Sequence, residues 1–109
     1  MAIRDLLLRL GVTPNYKAFY FLQTALELLQ QDPSALLLVT KRLYPAVARC
    51  HGVTWRVVER DLRTAADLVW LRNPVLLQEL AGFPMDRKPT VSQLLAILAE
   101  QVNALPLSK

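Results

Sequence analysis

Residues 44–70 read YPAVARCHGVTWRVVERDLRTAADLVW, and three positions in this run constrain the fold most. Ala48 is a small residue in the middle of a short helix expected from Pro45 to about His51. Gly52 follows four residues later, in the tight turn His51-Gly52-Val53, where a positive φ costs glycine nothing. Val58 lies six residues further on, in a long helix expected over 54–71. A small residue at the crossing lets the two helices approach closely. An apolar residue on the second helix seals the angle between them. This spacing is that of a helix-turn-helix with its core at 44–71, whose second helix can enter a major groove.

The second helix sorts its residues cleanly. At about 100° per residue, Val58, Leu62, Ala65 and Val69 fall on one side, and Arg56, Glu59, Arg60, Arg63 and Asp67 on the other. Such a mixed face also suits an ordinary solvated helix laced with i,i+4 pairs. The placement of charge favours a polyanion. Residues 41–63 carry Lys41, Arg42, Arg49, Arg56, Arg60 and Arg63 against Glu59 and Asp61, so six minus two equals the whole net charge of +4. A basic footprint confined to a helix-turn-helix is what phosphate binding needs.

The remaining segments read as helices. Ile3, Leu6, Leu7 and Leu10 form one stripe, stopped by Gly11. Thr13-Pro14 is expected to cap and open a helix reaching about Gln31, with Tyr16, Phe19, Tyr20, Leu22, Ala25, Leu26 and Leu29 on its apolar face. Asp32-Pro33 repeats the signal for a helix to about Leu43, packed through Leu36, Leu37, Val39 and Leu43 and kinked or broken at Pro45. Asn73-Pro74 opens a short helix ended by Gly82. Thr90 and Gln93 form a capping box for the last helix, which packs through Leu94, Leu95, Ile97, Leu98, Val102 and Leu105 and closes at Pro106. With 109 residues and no strand pattern, one all-α domain over 1–109 is expected, of six helices, or seven if Pro45 divides one.

Several chemistries find no residues to carry them. Cys50 is the single cysteine, so no disulfide forms within the chain, and it is expected in the core. His51 is the single histidine and lacks a Cys or His partner for a metal. No phosphate-cradling glycine loop and no convincing acid pair are present, so neither an enzyme nor a cofactor is expected. No apolar run approaches the ~20 residues of a membrane span, and the N-terminus makes a poor signal peptide. A cytoplasmic location is expected, with no membrane or small-molecule partner.

Four segments resemble a known family: Leu10-Gly11-Val12, Thr40-Lys41-Arg42-Leu43-Tyr44-Pro45, Val58-Glu59-Arg60 and Lys88-Pro89-Thr90. Over about residues 3–103 the chain is similar to the C-terminal DNA-binding domains of the stage-zero sporulation response regulator, protein A, of endospore-forming bacteria. The resemblance implies about six helices, a second helix of the motif that reads a short DNA box, and tandem copies on repeated boxes. It places Glu59 and Arg60 at the base-reading surface and Arg63 beside them. The chain departs from the family where Val57 replaces an arginine, with Arg56 one position earlier, and where Asp61 and Thr64 replace an alanine and a histidine. These changes sit on the reading helix, so the family's DNA box is not carried over. The family's full protein also has an N-terminal phospho-acceptor domain. None is read in this sequence, which is taken as an excised domain or a stand-alone relative without that control.

The expected partner is double-stranded DNA, met by a homodimer or by tandem copies. Arg56, Glu59, Arg60 and Arg63 are the expected base-reading residues. Lys41, Arg42, Arg49 and the helix start at Thr54 are the expected phosphate contacts. The alternative is a protein-interaction module that keeps the fold without specific DNA binding.

Overall fold

The chain spends its backbone hydrogen bonds locally, and its apolar stripes then determine how the helices stack. The computed structural model describes residues 2–103 and contains no strand among them. Six α-helices appear: α1 (Ile3–Leu10), α2 (Lys17–Gln31), α3 (Tyr44–His51), α4 (Trp55–Arg72), α5 (Pro74–Ala81) and α6 (Val91–Asn103). Helices α2, α3 and α4 pack on one another at the centre, and α6 covers α2. α1 and α5 lie against this group. The all-α expectation holds. The expected packing of Leu105 and the stop at Pro106 lie outside the described residues.

The first helix shows why its end falls where it does. Leu6, Leu7 and Leu10 are buried, and Gly11 closes the helix at φ +96°. A side chain there would meet both strain and matter, because a Cβ on Gly11 would lie 2.6 Å from the Cβ of Arg72. The Arg72 guanidinium donates to the Gly11 carbonyl at 2.9 Å and to the Tyr16 hydroxyl at 3.1 Å. The Asn73 amide donates to the Arg9 carbonyl at 2.8 Å. The C-terminal end of α4 is thereby fastened over the end of α1.

That attachment also changes the expected start of α2. Residues 14–16 form a turn, and α2 begins at Lys17 with Tyr16 as the preceding cap residue. The Thr13 hydroxyl donates to the Asn15 side chain, so it is spent locally and does not cap a helix from Pro14. Within α2, Phe19 and Phe21 are buried, while Tyr20 is 47% exposed. Phe21 therefore takes the core place expected for Tyr20, whose hydroxyl is better left in water.

The largest difference lies at 33–43. Instead of an α-helix, a tight 3₁₀ segment (Pro33–Leu38) leads into a wide π segment (Val39–Leu43). Ala35, Val39 and Leu43 turn inward, whereas Leu37 is 85% exposed rather than packed. Pro45 supplies a reason. It has no N–H to bond to the carbonyl four residues back, and its ring crowds that carbonyl in an α-helix. Widening the preceding turn relieves the crowding, and the Tyr44 amide bonds to Val39, five residues back. The path stays helical through Leu43, and Pro45 falls in the first turn of α3.

The later capping signals hold. The Asn73 carboxamide accepts from the Leu76 amide at 3.2 Å. Thr90 and Gln93 satisfy each other's amides at 3.1 and 2.9 Å. The residues expected to pack α6 from Leu94 to Val102 are all buried.

Helix-terminal glycines should separate into two kinds in chemical denaturation. Gly52→Ala meets nothing within 4 Å, so its loss should be the backbone penalty alone, about 1–2 kcal/mol. Gly11→Ala should lose more, because Arg72 must also move. Equal losses would show that the Gly11–Arg72 contact is slack.

Candidate nucleic-acid interface

The turn between α3 and α4 is closed by one carbonyl. Gly52, at φ +65°, and Val53 both direct their amides to the Ala48 carbonyl. The Ala48 side chain is buried at the helix crossing, and Val58 is fully buried beneath it. Ala48, Gly52 and Val58 thus act as their spacing predicts. Cys50 does not: it is exposed, because Val47 and Ala48 supply the inward face of this last turn. His51 is also exposed, with Nε2 2.8 Å from the Thr24 hydroxyl and its ring edge-on to Phe21. Among the described residues no group of three metal-ligating side chains occurs.

α4 presents the expected outward face. Arg56, Arg60, Arg63 and Asp67 are exposed, and Glu59 is half-buried. Their pairings differ. Arg63 reaches Glu59 at 3.6 Å, one turn away, and Arg60 reaches Asp61 at 3.4 Å. Arg56 has no acidic partner; its guanidinium lies over the indole of Trp55, 5.5 Å from the ring centroid. At the helix start Thr54 is extended and its carbonyl accepts from Val57 and Val58. Its hydroxyl makes no capping bond, and of the first amides of α4 those of Val57 and Val58 are committed to Thr54.

The expected phosphate contacts fall into two kinds. Lys41, Arg42 and Arg49 line one groove of about 280 Å³ beside the end of α2. Arg42 is bonded there to Asp32 and Ser34. The Ser34 hydroxyl and the Arg42 guanidinium together hold the Asp32 carboxyl below its usual range. Lys41 and Arg49 are exposed, without a salt bridge among the described residues. Thr54 stands apart from this groove, at the start of α4.

Two further features escaped the sequence. A cleft of about 480 Å³ runs along α4, lined by Tyr44, Glu59, Arg63 and Asp67 on one side and by Lys88 and Thr90 on the other. Lys88 donates to Asp67 at 2.6 Å, so the 82–90 loop borders the outward face of α4. The Lys88-Pro89-Thr90 run was visible as a motif, but nothing in its spacing places it beside α4. Tyr44, which lines the cleft, is buried. Burial, reinforced by the Glu59 carboxylate, raises its hydroxyl above the usual tyrosine range. The second feature is Asp61. It turns in from the outward face: its side chain is 15% exposed, and Oδ2 is enclosed without a hydrogen-bond partner among the described residues.

Residues 3–102 match the family described as sporulation initiation factor Spo0A C terminal. The chain belongs to that family. A Spo0A C-terminal domain is the DNA-binding effector domain of a sporulation regulator, and the family is not one of enzymes. The match runs from the first residue of α1 to the last but one of α6, so α3 and α4 lie inside the family's own boundaries. No helix among the described residues is long and apolar enough to cross a membrane.

An enclosed carboxylate oxygen without a partner destabilises a fold by about 1–3 kcal/mol. Asp61→Ala should therefore leave the thermal midpoint unchanged or raise it, although it removes the contact to Arg60. A clear fall would mean that Oδ2 has a partner in solution.

Proposed function

We propose that this Spo0A-family domain is a sequence-preferring transcription regulator of the bacterial cytoplasm that sets the N-terminal half of α4 into the major groove of double-stranded DNA. The observation that carries the proposal is the exposed face of α4. Three arginines lie along it, and the Thr54 hydroxyl at the helix start makes no capping bond. Arg56, Glu59 and Arg60 occupy the first two turns, from which this motif meets base edges. Arginine suits guanine O6 and N7, and a glutamate can accept from cytosine N4. Arg63 lies a turn further along. Lys41 and Arg49, with Thr54 and the first amides of α4, would hold phosphates. Arg42, already bonded to Asp32, would contribute less.

A homodimer or tandem copies on repeated boxes is part of the same proposal. Analytical ultracentrifugation on duplexes with one and two copies of a selected site would reveal it. The second reading, a protein-interaction module, draws on the acids beside Arg60 and Arg63, which offset charge on the face that would meet DNA.

Titration of duplex DNA at several salt concentrations separates the two readings. Log affinity should fall with log salt, and Lys41→Ala or Arg49→Ala should each reduce that slope by about 0.9 while weakening all sequences alike. Salt-independent binding, or none, would favour the interaction module.

Base reading has a separate signature in selection from random duplexes. Arg60→Ala should cost about 1–3 kcal/mol on the selected site and little on random DNA. Glu59→Ala should strengthen random binding and relax one base pair. An unchanged selected sequence for both variants would remove α4 from base reading.

A further inference from the structure

Trp55 has no place in the reading above, and its position is unusual for so large an apolar side chain. It is the first residue of α4 and is 39% exposed, although Val57 and Val58, next along the helix, face the core. A lone exposed aromatic needs no explanation by itself. Here a second observation accompanies it. The indole carries the guanidinium of Arg56, the one arginine of the α4 face without an acidic partner.

The geometry of stacking matters. A cation–π contact, here with the Arg56 guanidinium carbon 5.5 Å from the ring centroid, does not engage the N–H groups as a carboxylate pair does. Those N–H donors are the ones that grip guanine O6 and N7. An acid would instead occupy them, as Glu59 does for Arg63 and Asp61 for Arg60. Trp55 therefore orients Arg56 without neutralising it or using up its donors.

The same stack sets where the indole lies when Arg56 meets a base. With the guanidinium carbon 5.5 Å from the ring centroid, the indole would lie beside the guanine edge, near a neighbouring base pair. In the major groove the apolar feature offered by a neighbouring pair is the C5 methyl of thymine. From this we infer that Trp55 is a specificity-determining residue: it holds Arg56 on a guanine and covers the methyl group of a thymine at an adjacent base pair. This rests on α4 entering the major groove as proposed above. It adds a base-pair step, guanine beside thymine, to the preference of this chain. It also gives the displaced arginine, at Arg56 instead of position 57, a support made by its own neighbour.

The test uses the full chain and a duplex selected from random sequence. Each thymidine in the selected site is replaced singly by deoxyuridine, which lacks only the C5 methyl. One replacement should weaken binding about fourfold, the factor that burial of one methyl-sized group is worth. That thymine should adjoin the base pair at which Arg56→Ala relaxes the preference. Trp55→Ala should bind thymidine and deoxyuridine duplexes equally, while Trp55→Phe, which keeps a ring at the same place, should retain part of the difference. The deoxyuridine scan of the unaltered chain needs no variant to fold. If no single replacement weakens it, or if the sensitive thymine lies away from the Arg56 pair, Trp55 does not cover a methyl and the inference falls while major-groove reading stands. If Trp55→Ala keeps the full sensitivity, the methyl contact belongs to another residue and the inference falls again. A chain that selects no sequence at all overturns the major-groove reading and this inference together.

Discussion

The architecture depends on the angle between α3 and α4, and that angle depends on Ala48. Its side chain is small enough to sit in the crossing, and its carbonyl collects the amides of both Gly52 and Val53. One residue thus supplies the close approach and the closure of the turn. A larger side chain would force the helices apart, and overpacking of this kind typically destabilises by about 1–3 kcal/mol. It would also rotate the face of α4 that carries Arg56, Arg60 and Arg63. Stability and the aim of the basic face are therefore linked at this position.

The other end of α4 is held just as firmly, by different chemistry. Arg72 reaches the Gly11 carbonyl and the Tyr16 hydroxyl, its guanidinium lies over the Tyr16 ring, and Asn73 reaches Arg9. These contacts join the last turn of α4 to the end of α1 and the start of α2. An 18-residue helix fixed at both ends behaves as a rigid rod. A rod suits a surface that must present side chains in register, because a small tilt at one end would displace the other by several ångströms.

Much of this was legible in the sequence because the signals were local. Gly11, Gly52 and Gly82 end helices at positive φ. Asn73 and the Thr90–Gln93 pair cap as their types predict. The arginine face of α4 follows from periodicity alone. What stayed hidden needed tertiary knowledge. Thr13-Pro14 looks like a helix start, but Thr13 finds Asn15 and Tyr16 is drawn to Arg72. The 33–43 stretch has helical composition, yet Pro45 forces the turn before it to widen, and Leu37 is left outside. Cys50 is apolar in character but falls on the wrong side of a helix whose core face is filled by Val47 and Ala48. The 82–90 loop borders α4 across a cleft that no spacing rule reveals.

The acids on α4 pose the sharpest question for a surface expected to meet phosphate and base. Exposed ion pairs contribute only about 0–1 kcal/mol, so they exchange partners readily. The Arg63–Glu59 pair is of this kind, and Arg63 can leave Glu59 for a nucleic-acid acceptor at little cost. The Arg60–Asp61 pair is not symmetrical in the same way. Arg60 is well exposed, but Asp61 is largely enclosed and cannot follow it or turn out to water. Were Arg60 to leave for a base, Asp61 would lose the charged partner it has here. The cost of that separation is the same on every sequence, so only a site that gives Arg60 good acceptors can offset it. A cost that is the same on every sequence lowers affinity throughout and cancels in the comparison between a matched site and random DNA. Asp61 therefore sets the general affinity of the face, while the acceptors a site offers to Arg60 set its preference.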